Sequence, residues 1–176
     1  MLKIALIYGA ISGAITIAVM SLGILMADTL GEGTGGAVFG YSVMLIALIL
    51  IFLGIKRYRD QSLGGVIKFL PALLLGVGIA AVAGVFYVIG WEINLAATDY
   101  AFVEQYPKAV IAQKEAAGAS PEEMDKLREN MAAFAEQYKN PLYRAPITFL
   151  EIFPIGLLVA LISAALLRNP KVFPAR

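Results

Sequence analysis

The chain has 176 residues, 60% of them hydrophobic and 15% charged, with a mean hydropathy of +0.78; soluble domains run nearer half apolar and a quarter charged, so this composition belongs in lipid. A formal net charge of +1 excludes a nucleic-acid binder, which needs a basic surface. The absence of cysteine and histidine excludes disulfides, thiolate or imidazole metal sites and catalysis through either residue, so no metal or other cofactor is expected.

Residues from about Ile4 to Met26 form the first apolar run. At 1.5 Å per residue it reaches roughly 34 Å, enough to cross the hydrocarbon core. Lys3 precedes it as in a signal peptide, but the run is long for one and Leu25-Met26-Ala27 is a poor cleavage site, so it reads as a retained span. The glycine-rich stretch Asp28 to Gly36 reads as a turn. Its Gly31 to Gly36 segment has no lysine and no preceding strand, so it is not a phosphate-cradling loop. A second span runs from about Val38 to Ile55 and ends at Lys56-Arg57-Tyr58-Arg59-Asp60. The third runs from about Val66 to Ala97, longer than one crossing needs, with Trp91 marking its exit at headgroup level.

From Thr98 to Arg144 the character changes, with six Lys/Arg and eight Asp/Glu. Ser120-Pro121-Glu122-Glu123 is a helix start: serine as N-cap, proline at the first helical position, glutamate three residues after the cap. The helix it opens carries Met124, Leu127, Met131, Phe134 and Tyr138 as one apolar stripe. Upstream, Phe102, Tyr106 and Val110 make a second stripe that ends near Gly118. These predict a two-helix hairpin over 98–144, packed stripe to stripe or lying on the membrane surface. Asn140-Pro141 closes it, and the fourth span runs from about Pro146 to Leu167, followed by Arg168, Lys171 and Arg176.

Lys3, the group Lys56, Arg57, Arg59 and Lys68, and the C-terminal basic residues all fall on one side of a four-span topology. The positive-inside rule puts both termini in the cytoplasm and the hairpin outside. The Lys56, Arg57 and Arg59 cluster has a second reading, as a binder of anionic lipid or phosphate. Asp28, Asp60 and Lys68 read as interfacial anchors, and Ser12, Ser21, Ser42 and Ser163 as packing residues.

Helices gain little in lipid from burying apolar surface, so close backbone approach matters more. Small residues four apart line the first span (Ala5, Gly9, Gly13), the third (Gly76, Ala80, Gly84) and the fourth (Gly156, Ala160, Ala164). Three such faces predict a compact bundle.

Ionisable residues inside a span cost about 2.5–3.5 kcal/mol on insertion scales, which draws attention to Glu92 and Glu151. Pro154 follows Glu151 by three residues and cannot give an N–H to the Leu150 carbonyl. A kinked helix and two carboxylates at similar depth suit a cation or proton site. Against that, Arg144 lies seven residues before Glu151 and is its possible ion-pair partner, and a snorkelling glutamate needs no function either.

Several segments together carry a resemblance. Ile55-Lys56-Arg57-Tyr58-Arg59-Asp60 with Gly64-Gly65, then Tyr87 and Trp91-Glu92, then Lys139-Asn140-Pro141, and finally Thr148 to Gly156 and Leu161 to Ala164, look like domain of unknown function 4199. The resemblance spans nearly the whole chain and implies a small four-span protein of a Bacteroidetes-type inner membrane. It assigns no catalytic residue.

The expectation is an all-α membrane domain over 1–176, with spans at about 4–26, 38–55, 66–97 and 146–167 and an extracytoplasmic hairpin before the last. The leading function is a non-enzymatic scaffold or accessory subunit whose partner is a membrane protein or a second copy. The alternative is a small proton- or cation-coupled carrier using Glu92 and Glu151. An enzyme acting on a lipid-linked substrate has the weakest support, since no nucleophile or metal cluster is recognisable.

Overall fold

The computed structural model describes residues 1–25 and 34–174. Among them lie six helices and no strand: α1 (Leu2–Leu25), α2 (Thr34–Ser62), α3 (Phe69–Ala97), α4 (Ala101–Ala116), α5 (Pro121–Tyr138) and α6 (Pro141–Leu167). α1, α2, α3 and α6 are long and apolar enough to cross a bilayer, so the chain is a multi-pass membrane protein. The expected turn at Asp28 to Gly36 lies outside the described residues up to position 33, and its last three residues belong to α2.

The chain divides into two compact units, residues 1–90 with 149–176, and residues 91–148. In the first, α3 is the central helix. A Cβ placed on Gly76 would lie 2.8 Å from that of Ala160, and one placed on Gly156 would lie 2.8 Å from that of Ala80. Glycine at both positions is what lets the two backbones come so close. Residue numbers rise on α3 as they fall on α6, so these helices are antiparallel. On the other side of α3, Ala5 faces Gly78 and Gly9 faces Val82, numbers rising together, so α1 is parallel to α3. All three predicted small-residue faces are therefore used, two of them against each other.

α2 fills the remaining side. Leu48, Ile51 and Ile55 join Leu75, Ile79 and Ile152 in one core cluster. Ser12 Oγ donates to the Ala47 carbonyl at 2.8 Å, and Thr16 Oγ1 to the Ser12 carbonyl at 2.9 Å. The first of these crosses between helices; in lipid such a bond contributes on the order of 0.6 kcal/mol. Lys3, Lys56, Arg57, Arg59, Arg168 and Lys171 consequently gather at one end of this unit.

In the second unit the hairpin is built as its stripes require. Phe102 stacks on Tyr106 at 5.1 Å between ring centroids, Tyr106 meets Phe134 at 5.5 Å, and Phe134 meets Tyr138 at 4.9 Å. Trp91, from the last turns of α3, sets its ring edge-on to Phe102 at 5.0 Å and donates its indole N–H to the Tyr138 hydroxyl at 2.9 Å. Leu95 and Val103 are buried in the same cluster, together with Tyr138 of the ladder itself. Gly118, at φ +76°, takes the left-handed conformation that ends α4. Ser120 and Glu123 form a reciprocal capping box with Pro121 at the first turn of α5. Bonds from the Ser120 N–H and hydroxyl hold the Glu123 carboxyl below the usual glutamate range.

Several boundaries differ from expectation: α2 runs from Thr34 to Ser62 where the expected span covers 38–55, and two further differences have a local cause. α3 begins at Phe69 rather than Val66, because Gly64 and Gly65 both adopt positive φ and terminate the preceding structure. α6 begins at Pro141, five residues before the expected Pro146. Asn140 is its N-cap, accepting the Leu142 N–H at 3.0 Å, with Pro141 at the first helical position where its missing N–H costs nothing. The pair that breaks α5 also starts α6.

Candidate functional site

The largest polar constellation of the second unit is centred on Arg144, 4% exposed. Its Nε donates to Glu92 Oε1 at 2.6 Å and its Nη2 to Glu92 Oε2. Nη1 donates to the Lys139 carbonyl at 2.9 Å and the Tyr138 carbonyl at 3.3 Å. One guanidinium thus ties the last turns of α3 to the C-terminal end of α5, where the helix dipole favours a cation. Its Cζ also lies 5.3 Å from the centroid of the Tyr100 ring. Tyr100 and Asp99 both hold left-handed backbone conformations, at φ 57° and 48°. That geometry costs about 1–2 kcal/mol per residue. It is offset by the Tyr100 N–H bond to the Leu95 carbonyl, 2.8 Å, and by the guanidinium over the ring.

Both oxygens of Glu92 are engaged by this cation, which compensates the charge that a bound cation would otherwise require. The sequence offers Arg144 as a possible partner of Glu151; the fold pairs it with Glu92 instead. The reason is directional. Glu151 lies seven residues on, about 10 Å along the axis, while helical side chains lean toward the N-terminus.

Glu151 belongs to the first unit. Tyr87, 4% exposed, donates its hydroxyl to Glu151 Oε2 at 3.3 Å. The glutamate itself is on the exposed face of α6, as is Pro154, whereas Ile152 and Gly156 turn inward. α6 continues as one helix through Pro154 to Leu167.

The basic cluster is taken apart by the fold. Arg59 is fully buried. Its Nη1 donates to the Val172 carbonyl at 2.9 Å and the Leu167 carbonyl at 3.4 Å, its Nη2 to the Phe173 carbonyl, and its Nε to Asp60 at 2.7 Å. Asp60 also takes Lys56, and Arg57 donates to Gln61 at 3.0 Å. Phe173, at φ 47°, packs edge-on to Phe52 at 5.5 Å. Arg59 is therefore a latch on the C-terminal end of α6, with its donors turned to backbone rather than to a lipid phosphate. A cavity of about 560 Å³ lined by Lys56, Asp60, Gln61, Phe173 and Pro174 remains beside it.

Sequence reasoning missed three features. Arg59 as a helix-end latch and Tyr100 beneath Arg144 left no local pattern. Thr148, 1% exposed with no partner for its hydroxyl among the described residues, is silent in sequence. Among the described residues no group of three or more Asp/Glu is arranged to hold a metal ion.

Residues 7–169 match the family described as Protein of unknown function (DUF4199), and the chain belongs to that family. No curated protein and no solved structure matches it.

Proposed function

We propose that this chain, as a member of the DUF4199 family, is a non-enzymatic scaffold or accessory subunit of a bacterial inner membrane that meets a partner through the α4–α5 hairpin. The observation that carries this reading is the preorganisation of the hairpin. Its apolar stripes are consumed internally by the Phe102–Tyr106–Phe134–Tyr138 ladder, its turn is capped at both sides, and Arg144 fastens its exit. The outward surface is rich in charge, including the exposed pairs Glu122–Lys126 and Asp125–Arg128, with part of Tyr106 also exposed. Such exposed pairs add little stability, so they are free to serve recognition. A rigid element also loses less conformational entropy when a partner binds it.

The gathering of basic residues at one end of the first unit supports cytoplasmic termini, and with four spans it favours a hairpin on the outer side. The sequence offers neither cysteine nor histidine for catalysis, and the carboxylate of Glu92 is already compensated by Arg144, which favours binding over an ion-carrying role.

The test is site-specific photocrosslinking in native membranes from Glu115, Lys126 and Glu129 on the hairpin, with Ser62 as the comparison. A discrete heavier product from the hairpin positions, absent from Ser62, is the expected result. Recovery of the chain alone from every position overturns the proposal.

A further inference from the structure

We infer that Glu151 marks a docking site inside the membrane for a partner helix carrying a lysine or arginine. This goes beyond the hairpin contact and stands separately from it.

Depth comes first. Glu151 is the eleventh residue of the 27-residue α6, about 15 Å from its start and within the hydrocarbon layer. Orientation comes second. Exposed Glu151, Pro154, Leu158, Leu161 and Ile162 form one outward stripe, opposite the buried Ile152, Gly156 and Ala160. In a bilayer such a face meets either lipid tails or another protein.

Chemistry then decides between them. The stripe offers acceptors: the Glu151 carboxyl, and the Leu150 carbonyl on the 61%-exposed residue beside it, to which Pro154 can give no N–H. Tyr87 supplies one hydroxyl, at 3.3 Å, and among the described residues no ion pair reaches the carboxyl. Lipid tails supply no donors at all. The same chain pairs Glu92 with a buried arginine of its own; Glu151, equally a carboxylate on a spanning helix, faces outward for its cation. A second copy would bring another carboxyl and another set of acceptors to this stripe, which is like meeting like. A lysine or arginine from a different helix supplies both the opposite charge and the donors.

The experiment uses the full chain, fluorescently labelled and reconstituted in phosphatidylcholine vesicles. The probes are synthetic helices of about twenty leucines, enough to span, with a central lysine, a central glutamate or neither, and association is read by energy transfer. The lysine helix is expected to associate about tenfold more strongly than the all-leucine helix, the order of one good polar contact in lipid. Glu151→Ala removes the preference, and the near-isosteric Glu151→Gln, which keeps the shape, weakens it. Equal association of lysine and leucine helices overturns the inference, as does a preference that survives Glu151→Ala. Glu151-dependent self-association without any lysine preference also overturns it, making a second copy the occupant. None of these outcomes alters crosslinking from the hairpin, so the two proposals fail separately.

Discussion

Arg144 and Glu92 meet as a two-pronged ion pair across 52 residues of sequence, with the guanidinium Nε 2.6 Å from one carboxylate oxygen and Nη2 on the other. Because the arginine also holds two carbonyls at the end of α5, the pair fixes where the hairpin leaves α3 and where α6 begins. Removing one partner leaves the other charge uncompensated in a nearly closed site. Arg144→Ala is therefore expected to lower stability by about 2–4 kcal/mol, below the full range for buried pairs because the Glu92 side chain is 30% exposed. The double variant Arg144→Met, Glu92→Gln loses less than Arg144→Ala alone. Thermal unfolding in detergent measures both, and equal losses refute the assignment.

The contact of α3 with α6 makes a second prediction. Gly76→Ala places a methyl 2.8 Å from the Ala160 Cβ, so the helices have to separate, at a cost of about 1–3 kcal/mol. Gly78→Ala is the control. Its new Cβ meets only Ala5, at 3.5 Å, which is ordinary contact, and the helix gains propensity, so the change is neutral or mildly stabilising. Equal effects of the two would refute the packing.

The absence of native cysteine makes topology directly measurable. Single variants Glu115→Cys and Ser62→Cys are expected to react with an impermeant maleimide from opposite sides, Glu115→Cys from the periplasmic side in intact cells. Labelling of both from one side refutes the four-span count.

The capping box predicts a local acid response. The folded pKa of Glu123 is depressed below its ordinary value of 4.5 by the bonds from Ser120. Its contribution is thus fully present above about pH 4.5 and is lost as pH falls below that through the depressed value. Amide protection at Glu122, Glu123 and Met124, measured relative to the intrinsic exchange rate at each pH, should fall on acidification through this window, and Glu123→Gln, which cannot titrate, should remove the pH dependence. Unchanged exchange would remove the role assigned to the cap.

Arg59→Ala should release the segment after Leu167, because three carbonyls lose their donor at once. Faster carboxypeptidase trimming is the readout. Arg59→Lys recovers only part of the protection, since an ammonium cannot reproduce the planar fork that reaches Asp60 and the carbonyls together.

The elements legible in sequence were those governed by local rules. The four apolar runs, the Ser120–Glu123 box, the two hairpin stripes and the small-residue faces all follow helical periodicity, and each is found in the fold. The site was less legible because a charged side chain declares its charge but not its burial. Arg57 and Arg59 look alike in sequence; the first is exposed, the second fully buried and held by Asp60 and by carbonyls arriving from more than a hundred residues away. Arg144 pointed in sequence to Glu151, on spacing alone, whereas the lean of helical side chains turns it to Glu92. Asn140-Pro141 is legible in sequence as a helix breaker, while its second role as a start is hidden by Pro146, five residues on.

The Gly76–Ala160 and Ala80–Gly156 contacts alternate in composition, each glycine receiving the other helix's methyl. Sliding α6 by one turn would set Ala80 against Ala160, methyl on methyl, while opening a gap where glycine then faced glycine. The alternation works as a key cut for one axial position. Piston-like displacement of these two helices meets a steric barrier at every turn, and the motions left to the bundle are those that rock about the contact without changing its register.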